Sequence, residues 1–127
     1  MMKKMAVLVA VTVLLLAGCG KNKVDESTAE AHIKRAKEAV TLLNEENFDE
    51  LRAMFDETMK DALTVEQLQQ TVDVLKESGE FSSFGDASVS KRESYFVVIL
   101  PAEYTKDKRV YEITFDDQQR LAALYVK

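Results

Sequence analysis

At Gly79 the hydrophobic period of this chain changes, and that change limits the folds open to it. Before Gly79, apolar residues recur at spacings of three and four. Ala29, Ile33, Ala36, Val40 and Leu43 share one helical face, as do Phe48, Leu51, Phe55 and Met59, and then Val65, Leu68, Val72 and Leu75. After Gly79 the pattern alternates. Residues 94–104 (SYFVVILPAEY) are rich in β-branched and aromatic side chains, and residues 109–115 and 120–126 continue the pattern. Three helices followed by an antiparallel meander predict an α+β domain, its N-terminal helices packed on one face of a curved antiparallel sheet.

Local signals place the boundaries. The first helix is expected from Thr28 to Asn44, with Ser27 or Thr28 as its cap. Asn47 is placed to cap a second helix, with Glu50 reaching back to it, and Leu63 closes that helix. Thr64 and Gln67 form the same reciprocal pair at the start of a third. Gly79 ends it, because the residue past a helix end often needs positive φ. Phe81 to Ser90 is a weak, Ser-rich strand or an irregular segment. Turns are expected at residues 105–108 and 116–119. Pro101 has no amide to donate and belongs at a bulge or facing an edge.

The first nineteen residues have another character. Lys3 and Lys4 precede Ala6–Ala17, an uncharged run of twelve residues, and Leu16-Ala17-Gly18-Cys19 follows. A bilayer-spanning helix needs about 20 apolar residues, so this run is a secretory signal rather than an anchor. It resembles the bacterial lipoprotein signal, whose lipobox ends Leu-Ala-Gly-Cys. The resemblance implies a diacylglyceryl thioether on Cys19, cleavage between Gly18 and Cys19, and an extracytoplasmic protein held by its acyl chains. The anchor would lie in the outer leaflet of the cell membrane, or in an outer membrane if the cell has two. The organisation expected is therefore signal peptide 1–18, lipidated cysteine and tether 19–27, and a single domain 28–127.

Removing residues 1–18 leaves 109 of 127 residues, enough for one core. It also removes Lys3 and Lys4, leaving 15 basic against 22 acidic residues, a net charge of −7. So acidic a domain lacks the basic face that nucleic acid requires. Cys19 is the only cysteine, which excludes an internal disulfide and a thiolate metal site. No cofactor is expected beyond the covalent lipid.

The chain shows no catalytic motif. His32, the single histidine, borders the apolar face of the first helix and is expected as a solvated flanking residue. No serine lies in a Gly-x-Ser-x-Gly elbow. Asp56, Glu57 and Asp61 lack the alternation and central glycine of a calcium loop and read as a solvated helix face. Lys106, Lys108 and Arg109 make a basic hairpin tip.

Asn47-Phe48, Leu51, Phe55-Asp56, Met59-Lys60, Leu63-Thr64, Glu66-Gln67-Leu68 and Gly79 with Phe81 resemble the domain of unknown function 3887 family. That family occurs in bacterial lipoproteins and beside some α/β-hydrolases. The resemblance implies a cone-shaped fold similar to that of nuclear transport factor 2, over roughly Ala29 to Val126.

A hairpin turn centred on Lys106-Asp107 sets Leu100 opposite Ile113 and Val98 opposite Phe115, with Phe96, Ala102 and Tyr111 on the same helix-facing side. Tyr95, Val97, Ile99 and Val110 then share the other side. A second turn centred on Asp117-Gln118 adds Leu121 and Tyr125. Strands apolar on both faces are usually covered on both, and the helices cover one. These six residues are therefore a candidate contact face for a second copy of the chain or for another envelope protein, although a slip of one residue would exchange the faces. The function expected is a non-enzymatic, lipid-anchored module that binds a partner or a small apolar ligand. The alternative is a small enzyme working in the interior of the cone. A buried acid or histidine among the core aromatics favours the enzyme, and an inert apolar interior favours binding.

Overall fold

Four helices precede five strands in the computed structural model, which describes residues 24–127. The expected signal peptide, the Gly18–Cys19 cleavage site and the lipidated Cys19 lie outside the described residues. Among the described residues no helix is long and apolar enough to cross a membrane.

Helix α1 spans Glu26–Asn44, starting two residues earlier than expected. Asp25 holds the N-cap position and accepts a 2.8 Å bond from the Ser27 hydroxyl, and Glu26 puts negative charge in the first turn. Glu26 and Ser27, expected in the tether, thus belong to the helix. Ala36, Ala39, Val40 and Leu43 are fully buried on its inner face. The two alanines let the helix backbone approach the sheet closely. The helix closes without glycine: Glu46 takes φ 60°, Asn47 N donates to Leu42 O (2.9 Å) and Glu46 N to Leu43 O (3.0 Å). These two bonds make a Schellman motif.

The expected second helix is two short ones, α2 (Phe48–Ala53) and α3 (Glu57–Ala62). Asn47 stands at the N-cap of α2 but its side chain makes no capping bond. Residues 54–56 leave the helix to pair with the last strand. Leu121 N donates to Met54 O (2.7 Å), Asp56 N donates to Leu121 O (2.8 Å), and Phe55 forms a parallel bridge with Leu121. Burying Phe55 against that strand requires the break, and the Asp56 carboxylate restarts the helix by accepting from Met59 N at 2.8 Å. Helix α4 (Val65–Lys76) opens with the expected capping box, Gln67 N to Thr64 Oγ1 at 3.3 Å and Thr64 N to Gln67 Oε1 at 3.0 Å. Gly79 takes φ 89°, and a Cβ there would collide with the Thr105 hydroxyl.

Strands β1 (Phe81–Phe84), β2 (Ser88–Arg92), β3 (Tyr95–Tyr104), β4 (Lys108–Phe115) and β5 (Leu121–Val126) form one open antiparallel sheet in the order β1-β3-β4-β5. β2 pairs with the same edge of β3 as β1 does, further along it. The gap between them lies opposite Pro101, which accepts from Gly85 N at 2.9 Å and has no N–H to return.

The β3–β4 register sets Leu100 opposite Tyr111 and Val98 opposite Ile113, two residues from the expected pairing. The hairpin tip is held by the loop after α4: Thr105 N donates to Glu80 O and Lys106 N to Ser78 O, both at 2.8 Å. A shift of two leaves every side chain on its expected face. The β4–β5 pair carries a bulge between Thr114 and Phe115, so that Phe115 opposes Leu121 while Thr114 opposes Ala123. The extra residue turns Leu121 inward. Leu121 is fully buried with Phe55, Phe115 and Ile113 in the core between helices and sheet, not on the outer face as expected.

Candidate functional site

Three polar side chains from three elements converge at one margin of the core. Asn44 is the last residue of α1, Tyr104 ends β3, and Tyr111 points inward from β4. Tyr104 donates to Asn44 Oδ1 at 2.9 Å, and its oxygen lies 2.6 Å from the Tyr111 hydroxyl, which is left as the donor to it. Tyr111 is wholly buried. Burial, reinforced by the Tyr104 hydroxyl, pushes its phenol far above the ordinary range, so it stays protonated. Asn44 Nδ2 is also buried and has no partner among the described residues.

Beside this network opens a cleft of about 300 Å³, walled by Val72, Leu75, Phe81 and Tyr104, with Lys76 and Glu80 also on its lining. The Phe81 ring stands edge-on to Tyr104 at 5.7 Å. Lys76 is engaged by Glu46 at 3.3 Å. Glu46 is held below the usual carboxylate range by the Gln69 amide and then by Lys76. The arrangement offers apolar walls and a neutral hydrogen-bonding base. Sequence patterning did not find it, because Tyr104 and Tyr111 fit the inward period as well as phenylalanines would. The available signal was their hydroxyls, which need partners when buried.

His32 is not solvated: it is 3% exposed. It stands four residues before Ala36, on the buried stripe that continues through Ala39 and Leu43. Its ring stacks on Phe96 at 4.2 Å and meets the edge of Phe115 at 5.6 Å. Nδ1 lies 2.8 Å from the Thr28 carbonyl, which can only accept, so the proton sits on Nδ1. Nε2 is buried and unpartnered among the described residues. The Asn44 cleft is not lined by it.

The other candidates divide. Asp56 is a helix cap, and Glu57 pairs with Lys60 at 3.7 Å. Among the described residues no cluster of His, Cys, Asp or Glu is arranged to hold a metal. At the hairpin tip Lys108 pairs with Glu103 at 3.5 Å, and Arg109 Nε donates to Ser78 Oγ at 2.7 Å. Of the six residues expected on the outer sheet face, Tyr95, Val110 and Tyr125 are exposed, Tyr125 at 63%. Ile99 is half-buried, and Val97 is buried among its sheet neighbours outside the main core. Leu121 is the exception, on the inner face. Glu112 lies opposite both Ile99 and Tyr125 and so puts a charge in the middle of that face.

No curated protein matches this chain. A solved structure does match it, the NMR structure of a protein from Ruminococcus gnavus ATCC 29149. Its TM-score is 0.67 at 21% identity, covering 80% of this chain and 90% of that one, a likeness of fold. The family described as "Protein of unknown function (DUF3887)" matches residues 36–124, from the middle of α1 to β5. With helices, sheet and cleft all falling within or beside that match, the chain belongs to the DUF3887 family.

Proposed function

We propose that this protein is a lipid-anchored, extracytoplasmic binding module without enzymatic activity, held at a membrane by a diacylglyceryl group on Cys19. The observation that carries the binding role is the cleft beside Asn44 and Tyr104. The polar groups at its base are the Asn44 amide and the Tyr104 phenol, with the buried Tyr111 hydroxyl bonded behind them. The Tyr111 phenol, kept protonated by burial, holds the Tyr104 hydroxyl in place, and an amide and a hydroxyl fixed in this way orient a ligand by hydrogen bonds. Apolar walls beside hydrogen-bonding groups suit a small uncharged molecule with one polar end. The outer sheet face is a second contact surface on this reading, for another copy of the chain or for an envelope protein.

His32 supports the enzyme alternative, since its Nε2 is buried and unpartnered among aromatics. It does not line the cleft, and its stacked, enclosed ring supports a packing role instead.

The experiment has two parts. Intact-mass analysis of the mature chain should show Cys19 as the N-terminal residue carrying a diacylglyceryl mass. An unmodified Cys19 would remove the anchoring claim. Titration of the isotope-labelled chain with δ-valerolactam, a small lactam, should shift the Asn44 side-chain amide and Phe81, and Tyr104→Phe should weaken that response about fivefold. No shift at either residue would remove the cleft, and loss of the deletion phenotype's rescue by His32→Gln at unchanged melting temperature would favour the enzyme.

A further inference from the structure

The two edges of the sheet are treated differently. The edge formed by β1 and β2 is short, broken opposite Pro101, and carries Lys91 and Arg92. Breaks and charges of this kind are how proteins keep an edge from pairing with other chains. The opposite edge, β5, reads LAALYV, with neither charge nor proline over six residues.

The hydrogen-bond register shows which of its groups are open. Val110 and Lys127 exchange both backbone bonds, at 3.2 and 3.0 Å, so Lys127 faces β4. Glu112 opposite Tyr125 and Thr114 opposite Ala123 continue that phase. In an antiparallel ladder the intervening residues point the other way. The N–H and C=O of Leu124 and Val126 therefore face outward, and among the described residues nothing bonds them there. Only Leu121, at the start of the strand, is paired on that side, by Met54 and Asp56.

The flanks of this edge are shaped for side chains of an added strand. On the helix side a cleft of about 260 Å³ runs between α3 and β5, lined by Thr58, Met59, Ala62, Leu63 and Leu124, none of them charged. On the outer side a cleft of about 360 Å³ is lined by Ile99, Val110, Tyr125 and Val126, with the charged Glu112 and Lys127 also on its lining. A strand laid about 4.8 Å from β5 sends alternate side chains to opposite faces, and so into one cleft and then the other.

We propose that the β5 edge takes up an extended segment of a partner protein, with alternating apolar and polar side chains, as a sixth strand, its backbone bonded to Leu124 and Val126. The unpaired backbone groups call for another backbone. The uncharged helix-side cleft calls for apolar side chains at alternate positions, and the outer cleft, with Glu112 and Lys127 on its lining, takes polar ones between them. This site is separate from the cleft beside Asn44 and stands without it.

The test uses the full-length, isotope-labelled chain in detergent micelles. The probe is a capped peptide of alternating valine and threonine with a lysine at each end. Saturating peptide should slow amide exchange at Leu124 and Val126 by at least about tenfold, leaving the β2 edge unchanged. The same peptide N-methylated at every residue should have no effect. Val126→Pro removes one outward N–H and leaves the β4 ladder intact. It should weaken binding about tenfold at an unchanged melting temperature. No slowing at millimolar peptide overturns the proposal, and so does slowing by the N-methylated peptide, which would be apolar adhesion. Protection already present without peptide also overturns it: a second copy holds the edge if protection grows with protein concentration, and the chain's own first residues hold it if it does not.

Discussion

Asp116 does more at the β4–β5 turn than its place in a polar run suggests. Its carboxylate accepts from Gln118 N (2.9 Å), Arg120 N (2.8 Å) and Arg120 Nε (2.9 Å), while Gln119 turns through φ 63°. Burial raises its pKa, but those donors and the Arg120 charge outweigh burial, and the carboxyl sits below its ordinary 3.8. A carboxylate whose folded pKa is depressed stabilises the fold above its unfolded pKa and loses that contribution as pH falls through the folded one. The contribution is thus complete at neutral pH and lost below 3.8. Asp116→Ala is expected to cost about 2 kcal/mol in denaturant melts at pH 7, and the difference from the parent should shrink steadily as the melts are repeated below pH 4. A difference that stayed constant into acid would mean that the carboxylate charge is not what holds the turn. Asp116 was legible as turn chemistry from the sequence because an aspartate bonds its own neighbouring backbone. His32 was not legible, because its burial depends on Phe96 and Phe115, which lie far along the chain.

At the scale of elements, the same distinction separates what sequence patterning found from what it missed. The Thr64–Gln67 capping box, the positive φ at Gly79 and the strand containing Pro101 follow from residues within a few positions of one another. The β3–β4 register was displaced by two because Ser78 and Glu80, from another loop, hold the hairpin tip. The β4–β5 bulge was missed because it satisfies Phe55, on the helical side of the molecule. The error of two is silent, while the bulge moves one residue across the sheet, and substitution can show this. Tyr125→Lys and Ile99→Lys, on the outer face, should change stability by less than about 1 kcal/mol. Leu121→Lys should cost more than about 4 kcal/mol, since it buries an unpaired charge. If the outer face binds a second copy, light scattering should show a dimer for the parent and a monomer for the two outer lysine variants. A parent monomer that crosslinks to nothing in cells would end the contact-face idea.

For the whole molecule, Leu121 has a consequence in time. Its backbone bonds reach Met54 and Asp56, while its strand pairs with β4. The β3–β4 and β4–β5 hairpins close short loops, whereas the bridge from Leu121 to Phe55 joins segments separated by half the chain. Loop closure is costlier for the distant pair, and its binding groove exists only once the meander is formed. The bridge is then a latch that shuts after the folding barrier has been crossed. Stopped-flow measurements on Leu121→Ala should show unfolding accelerated about tenfold or more and refolding nearly unchanged. Equal changes in both rates would place the bridge inside the barrier. A late latch of this kind sets how long the folded state lasts once formed, and where cleavage outpaces reclosing that lifetime governs exposure to proteases more directly than how quickly the chain folds.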